Sequence, residues 1–324
     1  MTKSDGLDLV VTEVRSETPL IRSIGLSRPH GEPLPSWQPG AHVDIQLPDG
    51  GERSYSLINF KGDPDAGTRP AAYRLGVRLE DASTGGSRFM HGLKPGDRVR
   101  VTPPANNFPL EPDHRPVVLV AGGIGVTPIV SMAAALIAER RPFRFYYAGR
   151  RQQDLAFLSE IKALCGGNLT IHADDEAGGF FDIRALMASL KDGERVYCCG
   201  PLPMIEAAIA TAKELGWEQG RLRFELFAAA APRAGDGGFE VVLKRTGESF
   251  QIPPDKSILD VLIEAGKDPL HDCKRGDCGI CQVTVLEGVP DHRDYILSDG
   301  EKAEGKLMQI CVSRSKTPRL VIDL

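Results

Sequence analysis

The hydrophobic pattern changes character twice along the 324 residues of the chain. Up to about residue 107, short segments of alternating apolar and polar residues are separated by turns rich in Gly and Pro, a pattern typical of antiparallel strands in a small barrel. The segments that predict strands are Leu7–Val14, Ala41–Leu47, Arg53–Leu57, Tyr73–Leu79 and Arg98–Thr102.

In the middle of the chain, unbroken apolar runs alternate with helical patterns. Such a run suits a strand that is buried on both faces, as in a parallel sheet. The predicted strands are Pro116–Ala121, Phe143–Tyr147, Leu169–His172 and Arg195–Cys198. The predicted helices are Ile129–Arg140, Asp154–Leu164, Ile183–Leu190 and Met204–Leu215. Because strand and helix alternate, we predict an α/β domain with a parallel sheet.

A third pattern follows the segment 228–238, whose small residues, glycines and proline predict a linker. Strands are predicted at Phe239–Lys244 and Arg319–Leu324. A helix is predicted at Ser257–Ala265, capped by Ser257 and closed by Gly266. We therefore predict three domains, at residues 1–108, 109–229 and 236–324.

Composition describes a globular protein, with 41% hydrophobic and 26% charged residues. The net charge of −5 predicts no basic surface for nucleic acid. The N-terminus lacks a signal peptide pattern, and no apolar run reaches the length of a membrane span. Most of the seven cysteines fall in one motif rather than in a disulfide framework, so we expect a cytoplasmic protein.

That motif holds four cysteines in the C-x4-C-x2-C…C spacing of a plant-type [2Fe–2S] ferredoxin. They are Cys273, Cys278, Cys281 and Cys311. Gly276 and Gly279 lie between the first three, where positive φ angles would let the loop wrap a cluster. Four cysteines can also bind zinc, although zinc sites favour two paired C-x2–4-C knuckles and here one side is a single Cys.

A glycine-rich turn, Ala121-Gly-Gly-Ile-Gly-Val-Thr-Pro128, joins the first buried strand to the first helix of the middle domain. Glycines there let backbone N–H groups approach a pyrophosphate at the helix N-terminus. We predict Thr127 as the N-cap, with Pro128 at the first helical position. Such turns also serve packing alone, and Pro128 stands where the dinucleotide fingerprint has its third Gly.

In the barrel, the strand Arg53-Ser54-Tyr55-Ser56-Leu57 carries a cation, two hydroxyls and an aromatic ring. Alternation would send Arg53 and Tyr55 to one face and the two serines to the other. The combination suits a flavin phosphate and its ring, while an ordinary strand is the alternative. Gly85-Gly86-Ser87 predicts a second phosphate-binding loop.

With Tyr197-Cys-Cys-Gly-Pro201 and Phe224-Glu-Leu-Phe227, these motifs resemble the ferredoxin–NADP reductase superfamily. With the C-terminal cysteine motif, nearly the whole chain resembles the phthalate dioxygenase reductase family, which includes the vanillate O-demethylase reductases. The resemblance implies an antiparallel flavin-binding β-barrel, an α/β parallel-sheet nucleotide-binding domain and a β-grasp-like [2Fe–2S] ferredoxin domain. It also implies FMN, NADH and a [2Fe–2S] cluster as the cofactors.

By position, the resemblance assigns the binding residues. Those for the flavin are Arg53, Ser54, Tyr55, Ser56, Gly86 and Ser87. Those for the nicotinamide nucleotide are Gly122, Gly123, Gly125, Thr127, Gly200 and Pro201. Cys199 would lie beside the nicotinamide and Phe227 over the flavin ring. Phe224 is the alternative ring partner, and Cys198 is predicted to be a buried strand thiol.

The function that the resemblance implies is an NADH-dependent flavin iron–sulfur oxidoreductase, the reductase component of a Rieske-type aromatic oxygenase or O-demethylase in aromatic catabolism. We expect a monomer. A reductase for a cytochrome P450 or diiron oxygenase is one alternative, and a non-enzymatic, zinc-stabilised binding module is another.

We predict NADH rather than NADPH, although two arginines argue for NADPH. Arg150 and Arg151 follow the second buried strand, where a 2′-phosphate would lie, and the acid expected for the NAD ribose is absent. The segment Asp174-Asp-Glu176 predicts a solvated turn. If its carboxylates lined the same cleft, they would repel the phosphate.

Overall fold

The computed structural model describes residues 6–60, 68–81, 83, 85–228 and 233–324. The chain divides into two units, Met1–Glu225 and Leu226–Leu324. The first unit contains the sheets of the first two predicted domains, and the boundaries of the three domains stay predictions.

Six antiparallel strands form the first sheet, in the order β4-β3-β6-β1-β2-β5. They are β1 (Leu7–Thr18), β2 (Ile21–Ser27), β3 (His42–Gln46), β4 (Glu52–Ser56), β5 (Tyr73–Arg78) and β6 (Arg98–Val101). A single bridge between Leu57 and Leu75 joins the two edges, so the sheet curls into the predicted barrel around an apolar core.

Two elements of the barrel were missed by the sequence analysis. β2 buries Ile21, Ile24 and Leu26, a spacing that is not the period of two expected of a strand, and its pairing with β1 contains register shifts. Helix α1 (Gly86–Gly92) has only seven residues and a glycine at each end, so it lacks a helical hydrophobic pattern.

The second sheet is parallel, in the order β11-β10-β7-β8-β9. Its strands are β7 (Val117–Gly122), β8 (Phe143–Gly149), β9 (Leu169–Ala173), β10 (Arg195–Cys199) and β11 (Leu222–Glu225). The helices between and after them are α2 (Val126–Ala138), α3 (Leu158–Cys165), α4 (Asp174–Ala177), α5 (Ile183–Ala188) and α6 (Leu202–Glu214). Every residue of β7 is buried, as its unbroken apolar run predicted.

The prediction that Thr127 caps α2 is wrong. A 3-10 turn, Gly123–Gly125, leads directly into the helix, and Gly125 is the N-cap. Thr127 is therefore inside the first turn, where its hydroxyl donates to the carbonyl of Ile124 at 3.1 Å. Helix α3 also begins later than predicted, at Leu158, because Phe157 before it takes a φ of 59°.

A buried hydroxyl joins the barrel to the parallel sheet within the first unit. Ser131 of α2 is 2% exposed. Its hydroxyl donates to the carbonyl of Leu57 at 2.8 Å and accepts the N–H of Asn59 at 3.0 Å. Both partners directly follow β4, so the end of the predicted flavin strand is fixed to the helix that starts at the glycine turn.

Arg74 of β5 forms the second link across this junction. Its guanidinium carbon lies 4.9 Å from the ring centroid of Phe60 and 5.1 Å from that of Phe157. The same group donates to both carboxylate oxygens of Glu160 in α3, at 2.7 and 3.2 Å. A cation that is enclosed by two rings and paired with a carboxylate resists the sliding of one sheet against the other.

The second unit contains a mixed sheet in the order β13-β12-β18-β14-β16. Its strands are β12 (Phe239–Leu243), β13 (Ser249–Ile252), β14 (Gln282–Glu287), β16 (Leu307–Gln309) and β18 (Arg319–Ile322). A separate pair is formed by β15 (Pro290–Asp291) and β17 (Arg314–Ser315), and the helices are α7 (Ile258–Glu264) and α8 (Asp299–Glu304). Ser257 caps α7 through a capping box with Asp260, which confirms the predicted cap.

The predicted linker lies partly outside the described residues, at 229–232. Beyond that gap, Asp236 accepts a hydrogen bond of 2.7 Å from Arg293, which also binds Asp291. The Arg293 guanidinium holds the pKa of the Asp236 carboxyl well below its usual range. The end of the linker is therefore fixed to the second unit. In the described part of the chain, every helix is too short or too polar to cross a membrane.

We expect Ser131→Ala to lower the free energy of unfolding of the first unit by about 1–3 kcal/mol, because two buried backbone groups lose their partner. Urea denaturation followed by tryptophan fluorescence measures the change. Ser189→Ala is the matched control, since that hydroxyl is exposed and bonds only within its own helix end. Equal stabilities of the two variants would contradict the linking role of Ser131.

Candidate functional site

The two predicted nicotinamide motifs meet main chain to main chain. A Cβ atom on Gly125 would lie 2.3 Å from the carbonyl oxygen of Cys199 and 2.7 Å from the nitrogen of Gly200. A Cβ on Gly122 would lie 2.5 Å from the ring of Pro201. The approach follows from the sheet order, because β7 and β10 are neighbours and Ala121 pairs with Cys199. Only glycine allows this contact.

The outer side of the glycine turn is open. Gly123 has a φ of 54°, and no heavy atom of the described residues lies within 4 Å of the position that its Cβ would take. The turn opens onto the first residues of α2, whose N–H groups have no partner within the helix. A pyrophosphate fits this place, because backbone N–H groups and the helix dipole both favour an anion.

Cys199 ends β10 and is fully buried. Across the strand pair it aligns with Glu225 of β11, whose side chain is 4% exposed. A buried carboxylate at this edge can accept a hydrogen bond from an amide such as the nicotinamide carboxamide. The sequence analysis did not identify Glu225, although a Glu within the apolar segment Phe224–Phe227 was a signal.

Cys198 and Cys165 have the structural roles expected of them. Cys198 is fully buried in β10, and burial raises the pKa of its thiol to about 12. Cys165 ends α3, and burial likewise raises its pKa to about 12. Neither thiol is a thiolate near neutral pH, so neither is a nucleophile.

The two predicted flavin motifs also meet. A Cβ on Gly86 would lie 2.5 Å from the Cγ of Arg53, so α1 begins against the side chain of this arginine. The hydroxyl of Ser54 donates to Asp44 at 2.6 Å, and that of Ser87 accepts the N–H of Glu80 at 3.1 Å. Together these contacts form a polar edge on the barrel with one guanidinium, which suits a flavin phosphate.

Tyr55 and Ser56 complete the strand. Arg53 and Tyr55 are half-buried, whereas Ser54 is exposed and Ser56 is buried. Burial raises the pKa of Tyr55 to about 12, so its phenol remains a neutral hydrogen-bond donor. The barrel also contacts the nucleotide turn, because a Cβ on Gly76 of β5 would lie 2.8 Å from the methyl group of Thr127.

A cleft opens at the end of β8. It has a volume of about 510 Å³ and is lined by Arg151, Gln152, Gln153, Leu158, Asp175 and Glu176. Arg151 donates to both carboxylate oxygens of Asp154, at 2.8 and 3.1 Å. The segment 174–176 begins the short helix α4 rather than a solvated turn. Asp175 and Glu176 line the cleft, and Asp174 instead lies 3.2 Å from Nε2 of His172.

In the second unit, the four predicted cysteines converge on one loop. Cys273 contacts Cys278 and Cys311, and Cys281 also contacts Cys311. These contacts lower the pKa of the Cys273 thiol, and the N–H of Arg275 donates to its sulfur at 3.3 Å. Gly276 and Gly279 have φ angles of 81° and 82°, as predicted.

The donor set fits a [2Fe–2S] cluster, which spreads four thiolates over two irons. A tetrahedral zinc site instead needs its ligands around one ion. The thiol contacts connect Cys278, Cys273, Cys311 and Cys281 in that order.

Asp277 lies inside the cluster loop, next to Cys278. Its carboxylate accepts the N–H of Leu226 at 2.9 Å, and burial raises its pKa to about 7. Phe227 follows Leu226 in the second unit and is 40% exposed. Phe224 is half-buried in β11. The choice of Phe227 over Phe224 as the flavin ring partner stays a prediction.

Two parts of the chain match known protein families. Residues 241–316 match the family described as a 2Fe-2S iron-sulfur cluster binding domain. Residues 98–222 match the N-terminal domain of proteins like the dimethylamine monooxygenase subunit DmmA.

Some relatives match this chain along nearly the full length of both proteins. The chain is 39% identical to the putative toluene-4-sulfonate monooxygenase system reductase subunit TsaB2 of Comamonas testosteroni, over 99% of this chain and 100% of that one. It is 38% identical to the vanillate O-demethylase oxidoreductase of a Pseudomonas strain, over 98% and 100%. It matches the structure of phthalate dioxygenase reductase with a TM-score of 0.75 and 36% identity, over 98% of both chains. The chain belongs to the phthalate dioxygenase reductase family.

The reductase unit also occurs inside larger proteins. The chain matches full-length CYP116B46 from Tepidiphilus thermophilus with a TM-score of 0.77 and 35% identity, over 98% of this chain but 42% of that one. The predicted fold class, the oxidoreductase class and the set of flavin, nicotinamide nucleotide and [2Fe–2S] cluster are confirmed by these matches. The assignments of individual binding residues stay predictions.

We expect Gly125→Ala to lower kcat/KM for NADH by about 100-fold, because the new methyl group displaces the turn from the Cys199 carbonyl. Reduction of ferricyanide at fixed ionic strength measures it. Gly167→Ala is the control, since no heavy atom lies within 4 Å of its Cβ position. A folded Gly125→Ala variant with the rate of the control would show that the turn does not position the nucleotide.

Proposed function

We propose that this chain is the reductase component of a two-component Rieske-type aromatic oxygenase or O-demethylase. Electrons pass from NADH to FMN, then to the [2Fe–2S] cluster and on to the oxygenase. One observation carries the proposal: the barrel strand β5 contacts the glycine turn within one unit, while four thiols converge on a loop of the same chain. Such a chain has a place for a hydride donor, a flavin and a one-electron carrier.

When bound, the flavin converts the two electrons of a hydride into the single electrons that a cluster accepts. The protein supplies position and charge. Gly122, Gly123 and Gly125 bring backbone N–H groups to the pyrophosphate, and Thr127 holds the turn through its bond to Ile124. Cys199, Gly200 and Pro201 form the opposite side, where the nicotinamide is held with Glu225 as acceptor for its carboxamide.

The flavin is held at the barrel edge. Arg53 binds its phosphate, with Ser54, Ser56, Gly86 and Ser87 around it, and the neutral phenol of Tyr55 donates to it. Phe227 is the aromatic residue that would lie over the flavin ring. In the second unit Cys273, Cys278, Cys281 and Cys311 ligate the cluster, and the positive φ angles of Gly276 and Gly279 shape the loop around it.

We propose three cofactor-binding domains. Residues 1–108 bind FMN, residues 109–229 bind NADH and residues 236–324 bind the cluster. The protein is a monomer in the cytoplasm, a compartment that keeps cysteine thiolates reduced for a cluster. An oxygenase partner is supported by relatives named as a monooxygenase system reductase subunit and a vanillate O-demethylase oxidoreductase.

A second candidate partner is a cytochrome P450, because 98% of this chain matches part of full-length CYP116B46. Mixing the purified chain with a Rieske oxygenase or with a cytochrome P450 separates the two. We expect NADH-dependent product only with the Rieske partner, at NADH to product ratios near those of a coupled reaction. Product formation with the P450 alone would contradict the Rieske assignment and support the second candidate.

We expect Cys281→Ser to lose the cluster absorbance while NADH still bleaches the flavin, because the thiol lies in the second unit. Cytochrome c reduction should fall by about 10-fold or more if electrons leave through the cluster. Cys165→Ala, which removes a thiol far from the loop in sequence, is the control. A flavin-loaded Cys281→Ser protein that reduced cytochrome c at the parent rate would overturn the relay.

Acid release of the flavin from the parent protein, followed by chromatography, should give FMN.

A further inference from the structure

The cleft at the end of β8 lies where the adenosine half of a nicotinamide nucleotide would bind. Ligands of parallel sheets bind outside the carboxyl ends of the strands, and the residue that meets the 2′ position of the ribose follows the second strand. Here β8 pairs with β7, so that Gly122 at the glycine turn aligns with Ala148. Arg151 lies two residues beyond the end of β8 and lines the cleft.

The side chain of Arg151 is already bound to a carboxylate. Its Nε and Nη2 atoms donate to the two oxygens of Asp154. The backbone fixes this pair, because residues 152–154 form a 3-10 turn and side chains three residues apart in such a turn stand above one another. The N–H of Asp154 also donates to the carbonyl of Arg151 at 3.0 Å.

The other charges of the cleft are negative. Asp175 and Glu176 of α4 line it. The N–H of Asp175 donates to the carbonyl of Arg150 at 3.1 Å, which fixes α4 against the end of β8. A 2′-phosphate in the cleft would therefore meet two lining carboxylates and one arginine that is already paired with Asp154, whereas a 2′-hydroxyl could donate to a carboxylate.

We propose that Asp154 makes this cleft selective for the 2′-hydroxyl of NADH by occupying Arg151, the cation that would otherwise bind the 2′-phosphate of NADPH. The proposal rests on the proposed function, because it takes the parallel sheet to bind a nicotinamide nucleotide. It adds that one carboxylate sets the choice between the two nucleotides. Asp154 is a specificity residue, since the reacting atoms are at the other end of the nucleotide.

The test is Asp154→Asn, which keeps the size of the side chain and removes its charge. The probes are 2′,5′-ADP and 5′-AMP, whose dissociation constants are measured by calorimetry at fixed ionic strength. We expect Asp154→Asn to bind 2′,5′-ADP about 10-fold more tightly than the parent, the value of one charge-assisted contact, with 5′-AMP changed less than about twofold. The double variant Asp154→Asn with Arg151→Ala should lose the gain.

Glu214→Gln is the matched control. It removes one carboxylate from another exposed arginine, Arg184, whose side chain is 56% exposed like that of Arg151. Equal effects of Asp154→Asn and Glu214→Gln on 2′,5′-ADP binding, or a gain that survives Arg151→Ala, would overturn the proposal. Steady-state kcat/KM with NADH and with NADPH separates the failure of this inference from the failure of the proposed function. If the parent oxidises NADH and Asp154→Asn leaves the ratio of the two kcat/KM values unchanged, only the inference is overturned.

Discussion

The approach of Gly125 to the carbonyl of Cys199 is the constraint on which the nucleotide site depends. Neighbouring parallel strands end at the same edge of their sheet, so the loops that follow β7 and β10 must pack side by side in the same space. The loops share it because the first has no side chain at Gly122 and Gly125. The outer side of the turn then stays open for a pyrophosphate.

A hydride can pass only if the flavin and the nicotinamide are held at fixed distance, so the barrel must not move against the parallel sheet. Ser131 and Arg74 supply this in different ways. The serine satisfies two backbone groups at the end of the flavin strand. The arginine is held between two rings and bound to Glu160. The bonds of Ser131 are buried, and a buried hydrogen bond is stronger than one in water.

The second unit has a different task, which is to hold four thiols in one place. Its loop achieves this with two glycines of positive φ and with N–H groups directed at sulfur. Cys311 follows the end of β16 by two residues, so the fourth thiol comes from a separate part of the chain. Arg293 and Asp236 fix the entry of the chain into this unit.

The elements that the sequence predicted well are those with a strong repeating pattern. The apolar run of β7 and the capped helix α7 are each encoded by residues close together in sequence, and three of the four cluster cysteines lie in one short segment. The elements that it missed lack such a pattern. β2 is irregular because its pairing with β1 shifts register. Thr127 is not the N-cap of α2, because a 3-10 turn leads into the helix and makes Gly125 the N-cap.

The sequence by itself determined the cofactor chemistry, the order of the domains and the motifs at each site, because these depend on residue types at fixed spacing. It could not determine which motifs meet. Glu225 aligns with Cys199, Arg53 contacts Gly86, and Asp154 binds Arg151. Those outcomes depend on strand order and on local turns that bring side chains together, and only the tertiary structure fixes these distances.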